Sequence, residues 1–313
     1  MDDTAADNSV TVLHTVKQVR AWTSQQRALG KTIGLVPTMG ALHAGHLRLI
    51  RVAAEKSGAV VVSIFVNPAQ FAPHEDLDKY PRTLADDISK LEQFQLRQQL
   101  QPPSSMPSVA VFVPTVSEMY PRGISLQRDQ QRGTFVEVLG LSEMLEGGTR
   151  PHFFRGVATV VTKLFHIVMP DHAVFGQKDV QQSCVLRAMV QDLHFPLNVV
   201  VAPTERDHDG LALSSRNVYL SDEQRSRAPA FYRGMCRARD LYHNGTTGRE
   251  ALLAAVRGEA EKAGLDIEYI SLSSPDDLSE VAEVSTERGA ILSGAWRMGS
   301  TRLIDNMLLG FEF

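Results

Sequence analysis

The sequence predicts an α/β protein, with a Rossmann-like parallel-sheet domain followed by a smaller α+β domain. The apolar runs at 32–36 and 60–66 have the composition of buried strands, and a stretch with apolar residues three and four apart lies between them. A strand–helix–strand order of this kind gives neighbouring parallel strands joined by a right-handed crossover. Beyond the strand-like run at 197–203, two helical stretches precede three further strand-like runs. We therefore expect domains at 1–203 and 204–313, the second acting as a lid.

The remaining elements follow from periodicity and punctuation. Pro37 is expected to stop the first strand, and the strongly apolar helix at 156–168 to pack against the sheet or against a second subunit. Residues 1–10 are expected to be disordered, and the Pro/Ser-rich stretch 98–108 to form an exposed loop. The other predicted helices are 16–29, a helix from Gly45, 83–96, 180–193, 223–242 and 248–263, and the other strands are 109–114, 134–138, 173–175, 197–203, 267–272, 290–296 and 301–307.

Composition narrows the classes of function. The 313 residues are 43% hydrophobic and 22% charged, as in ordinary soluble proteins. The net charge of −4 gives no basic footprint for nucleic acid or membrane, and the apolar runs are too short to span a bilayer. Two cysteines and an acidic, polar N-terminus favour a reducing compartment without a signal peptide, so we expect a cytoplasmic protein.

The stretch GLVPTMGALHAGHLRLI at 34–50 carries the first candidate site. His43 and His46 lie where the first strand gives way to a helix, and Gly40 permits a tight turn before them. The free N–H groups and positive dipole end of a helix start bind anions, usually phosphate. Both imidazoles could donate to such a phosphate. An ordinary helix start and a metal site are the alternatives, although no Cys or third His lies nearby in the sequence.

Further candidates follow other strands and helix starts. Gln70 lies past the end of the second strand, at the edge where open α/β sheets bind ligands, although taken by itself the position is better explained as a loop residue facing water. Asp86 and Asp87 open a helix, where they either complement its dipole or hold Mg²⁺ on nucleotide phosphates.

A second group occupies later turns of the chain. Lys178 and Asp179 lie at a strand-to-helix edge with Gln182 one turn on, and the alternative for the lysine is a solvated helix start. Two hydroxyls and a guanidinium can grip a triphosphate while a loop closes over it, and the alternative for that loop is a plain linker. The loop in question contains Ser214, Ser215 and Arg216.

Seven segments then give a specific resemblance across nearly the whole chain. In order, they are PTMGALHAGH (37–46), SIFVNPAQF (63–71), EDLDKYPRT (75–83), GVATVVTKLF (156–165), FGQKDVQQ (175–182), DGLALSSRN (209–217) and TRLIDN (301–306). The chain resembles the pantothenate synthetase (pantoate–β-alanine ligase) family, within the nucleotidyltransferases that carry HIGH-type signatures.

The resemblance implies a two-step reaction. ATP and (R)-pantoate give pantoyl adenylate and pyrophosphate, and the β-alanine amine then displaces AMP to give pantothenate, a coenzyme A precursor. It implies a homodimer formed through the first domain. By position, the resemblance places on the ATP phosphates His43, His46, Lys178, Ser214, Ser215 and Arg216, together with the helix start that includes Gly45. Pro37 and Gly176 would lie by the nucleoside, and Asp179 by the ribose. Gln70 and Gln182 would hold pantoate, Met39 would line the site, and Asp86 or Asp87 would bind Mg²⁺.

The chain departs from the family at a few positions. RPHFF at 150–154 replaces the frequent bacterial RPGHF, so Phe153 stands in place of a histidine and His152 in the preceding position. Gln177 and His166 also differ from the common residues. Two other classes remain open: another HIGH-type nucleotidyltransferase or class I synthetase fragment, and a non-catalytic nucleotide-binding regulator. The former does not explain SIFVNPAQF with FGQKDVQQ, and the latter would be expected to lack His43, His46 or Lys178.

Overall fold

The computed structural model describes residues 10–72, 77–99 and 107–313. The expectations for the N-terminus and for the Pro/Ser-rich stretch concern mainly residues 1–9 and 100–106, which lie outside these ranges. The chain divides into a first unit, Met1–Val138 with Arg150–Phe175 and Met189–Ala202, and a second unit, Leu139–Thr149 with Gly176–Ala188 and Pro203–Phe313.

The helices and strands up to residue 202 alternate along the chain, except that three helices follow one another between the fourth and fifth strands. They are β1 (Thr11–Leu13), α1 (Val16–Ala28), β2 (Ile33–Thr38), α2 (Ala44–Lys56), β3 (Ala59–Ile64), α3 (Leu84–Gln99), β4 (Ser108–Phe112), α4 (Val116–Met119), α5 (Glu146–Thr149), α6 (Phe153–Val168), β5 (His172–Gly176), α7 (Val180–Asp192) and β6 (Asn198–Ala202). Of these, α5 and most of α7 belong to the second unit.

The sheet of the first unit has the predicted parallel architecture. Among the described residues its strand order is β1-β4-β3-β2-β5-β6, and β1 with β4, β4 with β3, β3 with β2 and β2 with β5 pair in parallel. Val60 and Val62 pack in a core with residues of α2 and α3, while α1 and α6 contact β2. Strand order reverses beside β2, and open sheets bind ligands at the carboxyl end of such a point.

Two local predictions about this unit are wrong. Pro37 does not stop β2, which continues to Thr38; pairing with β5 covers only Gly34 and Leu35, so a residue without an N–H is tolerated on the open side. Residues 134–138 form no strand, because the Thr159 hydroxyl of α6 bonds both the N–H (3.0 Å) and the carbonyl (3.3 Å) of Val136 in place of a neighbouring strand.

The second unit ends in the predicted helix pair and three-stranded sheet. Its elements beyond residue 203 are α8 (Asp222–Arg227), α9 (Ala230–His243), α10 (Arg249–Lys262), β7 (Asp266–Ser273), β8 (Ala290–Met298) and β9 (Thr301–Leu309). The sheet is antiparallel in the order β7-β8-β9. Its core contains the stacked rings of Phe231 and Trp296, whose centroids lie 4.3 Å apart.

One predicted helix of this unit is two helices. The stretch 223–242 divides into α8 and α9, which lie on either side of Pro229. Proline has no N–H to donate to the preceding turn, and its ring clashes with that turn, so a continuous helix is broken there. A capping box begins α8, with the Ser221 hydroxyl accepting from Gln224 N and the Gln224 side chain accepting from Ser221 N.

Candidate active site

The turn after β2 delivers the two histidines to the start of α2. The Thr38 hydroxyl donates to Ser63 O (2.7 Å) and accepts from Gly40 N (3.2 Å), which ties the end of β2 to β3. Gly40 (φ 88°) and Ala41 (φ 51°) then adopt left-handed backbone conformations, which are strained for alanine. Residue 43 is the N-cap of the helix, so His43 and His46 lie within its first turn.

Backbone hydrogen bonds fix the proton positions of both imidazoles. The Nδ1 atom of His43 accepts from Gly45 N (3.1 Å), and that of His46 accepts from His43 N (3.3 Å). A neutral imidazole that accepts at Nδ1 carries its proton on Nε2. Burial, followed by the charges of His43 and Lys90, lowers the pKa of His46 from 6.5 to about 3. His46 is therefore a neutral Nε2–H donor at physiological pH.

A buried carboxylate holds this turn from the side. Asp87 is fully buried in α3, and its two oxygens accept from Ala41 N (2.9 Å) and Leu42 N (2.7 Å). Lys90, one turn further along α3, donates to Leu42 O (2.8 Å). Asp86, in contrast, is exposed at the start of the same helix. The sequence alone did not distinguish the two aspartates or indicate Lys90, because the turn that Asp87 and Lys90 contact lies more than forty residues earlier.

Gln70 is oriented by a buried asparagine that the sequence did not single out. Asn67 Nδ2 donates to Gln70 Oε1 (2.9 Å) and to Gly156 O (3.2 Å). Asn67 Oδ1 accepts from the Tyr120 hydroxyl (2.7 Å), and burial raises the pKa of Tyr120, which stays a donor. The Gln70 amide therefore presents Nε2–H₂ as its donor. The Asn in SIFVNPAQF was the available signal, since it follows the strand at the ligand-binding edge.

Helix α6 approaches Gln70 so closely that residue 156 has to be glycine. A Cβ added to Gly156 would lie 2.7 Å from Gln70 N and would meet Ala69 O closer still. Backbone atoms cannot rotate away as a side chain can. The glycine thus allows α6 and the turn that carries Gln70 to pack together.

The second unit holds Lys178 in a short turn. Gln177–Asp179 form a single 3₁₀ turn after β5, with Gly176 as its cap and with Lys178 partly exposed. Gln182 lies partly exposed on α7. Its neighbour Gln181 is buried and donates to the carbonyls of Leu141 and Met144 (both 2.8 Å), which is a structural use.

The loop with the two serines is a second short turn of the same unit. Ser214 is the N-cap of a 3₁₀ helix at Ser215–Tyr219, and its hydroxyl accepts from Arg216 N (3.3 Å). Asn217 Nδ2 donates to Ala212 O (3.0 Å) and closes the loop on itself. Ser214, Ser215 and Arg216 are all partly exposed.

The remaining candidates and departures have defined places. Pro37, Met39 and Gly45 are partly buried around the turn after β2. His152 has a left-handed backbone (φ 73°) at the N-cap of α6, in the position where the resembling family often has glycine. The Arg150 guanidinium lies 3.7 Å above the Phe153 ring, and His166 is exposed on α6.

Neither a cluster of metal-ligating side chains nor a helix that could span a membrane is found in the described part of the chain. There, no group of three or more His, Cys, Asp or Glu side chains is arranged to hold a metal ion. No described helix combines the length and apolar character needed to cross a bilayer.

Comparison with known proteins gives a consistent family. The sequence profile of the pantoate–β-alanine ligases matches residues 11–308. The chain is 47% identical to pantothenate synthetase of Ectopseudomonas mendocina over 295 residues (94% of this chain and 96% of the relative). It is 47% identical to that of Myxococcus xanthus over 302 residues (96% and 97%).

Solved structures agree with the sequence comparison. Pantothenate synthetase from Thermus thermophilus superposes with a TM-score of 0.83 at 39% identity, covering 95% of this chain and 99% of that one. Pantoate–β-alanine ligase from Francisella tularensis, complexed with β,γ-ATP and β-alanine, gives a TM-score of 0.72 at 31% identity, covering 96% and 98%.

Proposed function

This chain belongs to the pantoate–β-alanine ligase family and is a pantothenate-forming ligase, and we propose that it works through a pantoyl-adenylate intermediate built by the residues described above. A pantoate carboxylate oxygen attacks the α-phosphorus of ATP, and the bond to pyrophosphate breaks. The β-alanine amine then attacks the adenylate carbonyl, the bond to AMP breaks, and the amine loses a proton. The carboxylate is already a nucleophile, so the first step needs positioning and charge stabilisation.

The observation that carries this proposal is the pair of imidazoles at the start of α2. Their Nδ1 atoms accept backbone N–H groups, so both Nε2–H groups are donors at a helix N-terminus, where anions bind. We assign them to the ATP phosphates, with His46 also near the adenylate. Because His46 is neutral, it stabilises the developing negative charge by donating a hydrogen bond and transfers no proton.

In the second unit, cationic and hydroxyl groups suit a polyphosphate. Lys178 would act as a point charge on the phosphates, and Arg216 would bind them with its planar fork of donors. Ser214 and Ser215 would add hydroxyl donors. Asp179 would accept from the ribose, and the Gly176 backbone would lie by the nucleoside, as would Pro37 from the first unit.

Gln70 and Gln182 are proposed to hold pantoate, with Met39 lining the site. The donor orientation that Asn67 imposes on Gln70 suits a carboxylate or hydroxyl oxygen of that substrate. A substrate-binding amide in a fixed orientation loses little conformational freedom when it binds.

Magnesium is proposed to enter with ATP. It usually retains water and phosphate ligands and takes only one or two protein carboxylates, which agrees with the lack of a three-ligand cluster in the described residues. Asp86 is exposed and fits this role, whereas both Asp87 oxygens already accept backbone N–H groups. When bound, the ion would neutralise phosphate charge.

One broader proposal follows from the family and another from the composition of the chain. A homodimer formed through the first unit would be tested by sedimentation velocity, and a cytoplasmic location by imaging of a tagged chain at its native expression level.

Pyrophosphate release from Mg·ATP tests the reaction. Pantoate alone should give about one equivalent per site, and adding β-alanine should give sustained turnover. His46→Ala should slow the first phase by roughly a hundredfold or more, since one lost donor to a developing charge costs about 2.7–4 kcal/mol. His166→Ala, an exposed histidine of the same unit, is the matched control. No release under either condition, or a normal burst in His46→Ala, would overturn the corresponding assignment.

A further inference from the structure

The TRLIDN segment of β9 contains two buried polar side chains that the reaction described above does not use. Asp305 is 3% exposed and Asn306 is 1% exposed. Successive side chains of a strand point to opposite faces of the sheet. Accordingly Leu303, Met307 and Leu309 pack in the core with α9 and α10, while Leu308 packs beside the start of α7.

Asn306 holds the turn that carries Lys178. Its Nδ2 group donates to Gln177 O (2.8 Å) and Lys178 O (2.9 Å), and its Oδ1 accepts from Gln177 Nε2 (3.2 Å). All three of these hydrogen bonds of the Asn306 side chain thus go to two residues of one short turn. A 3₁₀ turn has poorer hydrogen-bond geometry than an α-helix and benefits from such external bonds. Gln177, a departure from the family pattern, is part of this arrangement.

Asp305 holds the segment that leads to the Ser214–Arg216 loop. Its two oxygens accept from Arg206 Nη1 (2.6 Å) and Nη2 (2.9 Å), a bidentate pair that adds directional as well as electrostatic stabilisation. Arg206 also donates to Gly210 O (3.1 Å) and stacks 3.7 Å from the Tyr232 ring.

Residues 205–213 fold back on themselves between Arg206 and the two serines. Residue 206 pairs with Ala212 in an antiparallel bridge, and Leu213 N donates to Glu205 O (2.9 Å). Ser214 follows directly. Asp305 is therefore connected to Ser214 through hydrogen bonds between neighbouring segments of the same unit.

We propose that Asp305 and Asn306 are positioning residues that set the spacing between the Lys178 turn and the Ser214–Arg216 loop, so that both sets of donors meet one polyphosphate. This inference rests on the proposed function, because it requires that those donors bind ATP. Two neighbouring residues on one rigid strand fix both segments. The spacing is consequently set by the geometry of β9, whereas each loop alone would be free to drift.

The test uses the isosteric change Asn306→Asp in the full-length enzyme. It removes both Nδ2 donors and places a carboxylate against two carbonyls. We expect the KM for Mg·ATP to rise roughly 10- to 30-fold, on the basis of two lost hydrogen bonds of about 1 kcal/mol each, while the KM for pantoate stays unchanged. Asp305→Asn, which breaks the bidentate pair, should shift the same constant.

Non-additivity separates positioning from general stability. In a Lys178→Ala background, Asn306→Asp should cause little further change in the KM for ATP, because the group it positions is gone. Ser271→Ala is the matched control, since it removes a buried hydrogen bond to Ser273 on β7. The control should lower the melting temperature and leave the KM for ATP unchanged.

Each outcome decides a different claim. Unchanged ATP kinetics in Asn306→Asp, additive effects with Lys178→Ala, or an equal rise in the KM for pantoate would overturn the positioning role. Wild-type enzyme that releases no pyrophosphate would instead overturn the proposed function on which the inference rests.

Discussion

Replacing Asp87 by asparagine should disrupt the turn after β2, which carries His43 and His46, without disturbing the core. The change keeps the shape of a fully buried side chain, so it leaves no cavity. Only one oxygen remains to accept from Ala41 N and Leu42 N, and the new NH₂ group faces the other donor. A hydrogen bond to a charged group contributes about 1.5–3 kcal/mol, so we expect the turn to lose about 2–3 kcal/mol.

That loss acts on a turn that already carries strain. The left-handed conformation of Ala41 costs about 1–2 kcal/mol, which the bonds to Asp87 offset. Without one of them, the turn should populate other conformations in which His43 and His46 no longer present their Nε2–H groups to the proposed phosphate site. At 1.36 kcal/mol per tenfold change, adenylate formation should fall roughly 30- to 160-fold.

Single-turnover pyrophosphate release measures this rate, and two further variants serve as the control and the rescue. Glu92→Gln changes a partly exposed carboxylate further along the same helix and should leave the turn intact. Ala41→Gly, added to Asp87→Asn, should restore about tenfold of the rate, because glycine adopts φ 51° without strain.

The reasoning fails if Asp87→Asn stays within threefold of wild type. It also fails if Ala41→Gly gives no recovery while the Mg²⁺ concentration needed for half-maximal rate rises, since that pair of results would make Asp87 a metal ligand.

Three other changes test further features. Gly156→Ala should raise the KM for pantoate and cost about 1–3 kcal/mol of stability through overpacking against the Gln70 turn, whereas Gly148→Ala, where an added Cβ would make only an ordinary contact with Glu143 O (3.9 Å), should do neither. His152→Gly should stay within about 1 kcal/mol of wild type in urea unfolding, while His152→Val should cost about 2 kcal/mol or more at a left-handed position. Since the pKa of His46 is lowered to about 3, its stabilising effect is complete above pH 6.5 and is lost as the pH falls toward 3. Between pH 7 and 4.5 the free energy of unfolding should fall by about 2–3 kcal/mol less in His46→Gln than in wild type or in the exposed control His14→Gln.

The sequence predicted the fold well where periodicity was strong. Continuous apolar runs predicted β2 and β3 because both faces of that sheet are covered. The errors came from tertiary contacts that no local pattern contains. Pro37 remains in its strand because the neighbouring pairing has ended, and residues 134–138 take their bonds from Thr159 of a later helix. The break at Pro229, however, was visible in the sequence and was missed.

The candidate site divides in a similar way. Partly exposed histidines, a lysine and hydroxyls at strand and helix ends have local signatures, and these placed His43, Lys178 and Ser214 in turns suited to anions. The groups that orient them were invisible, since a buried amide looks like any other polar residue until its partners are known. Asn67 follows a strand at the ligand-binding edge, yet its control of Gln70 depends on Gly156 and Tyr120, which lie 89 and 53 residues away.

The proposed phosphate-binding turns of the two units meet the same physical requirement in the same way. A turn that binds phosphate has to present its donors outward, so few of its own side chains remain to hold it, and the backbone of the turn must be anchored from elsewhere. In the first unit the anchor is Asp87, 45 residues beyond the Leu42 N–H that it accepts, and in the second it is Asn306, 128 residues beyond the Lys178 carbonyl. Buried side chains bonded to the backbone of a ligand-binding turn should therefore affect substrate affinity and rate as strongly as the groups that touch the substrate, although neither motif spacing nor exposure reveals them.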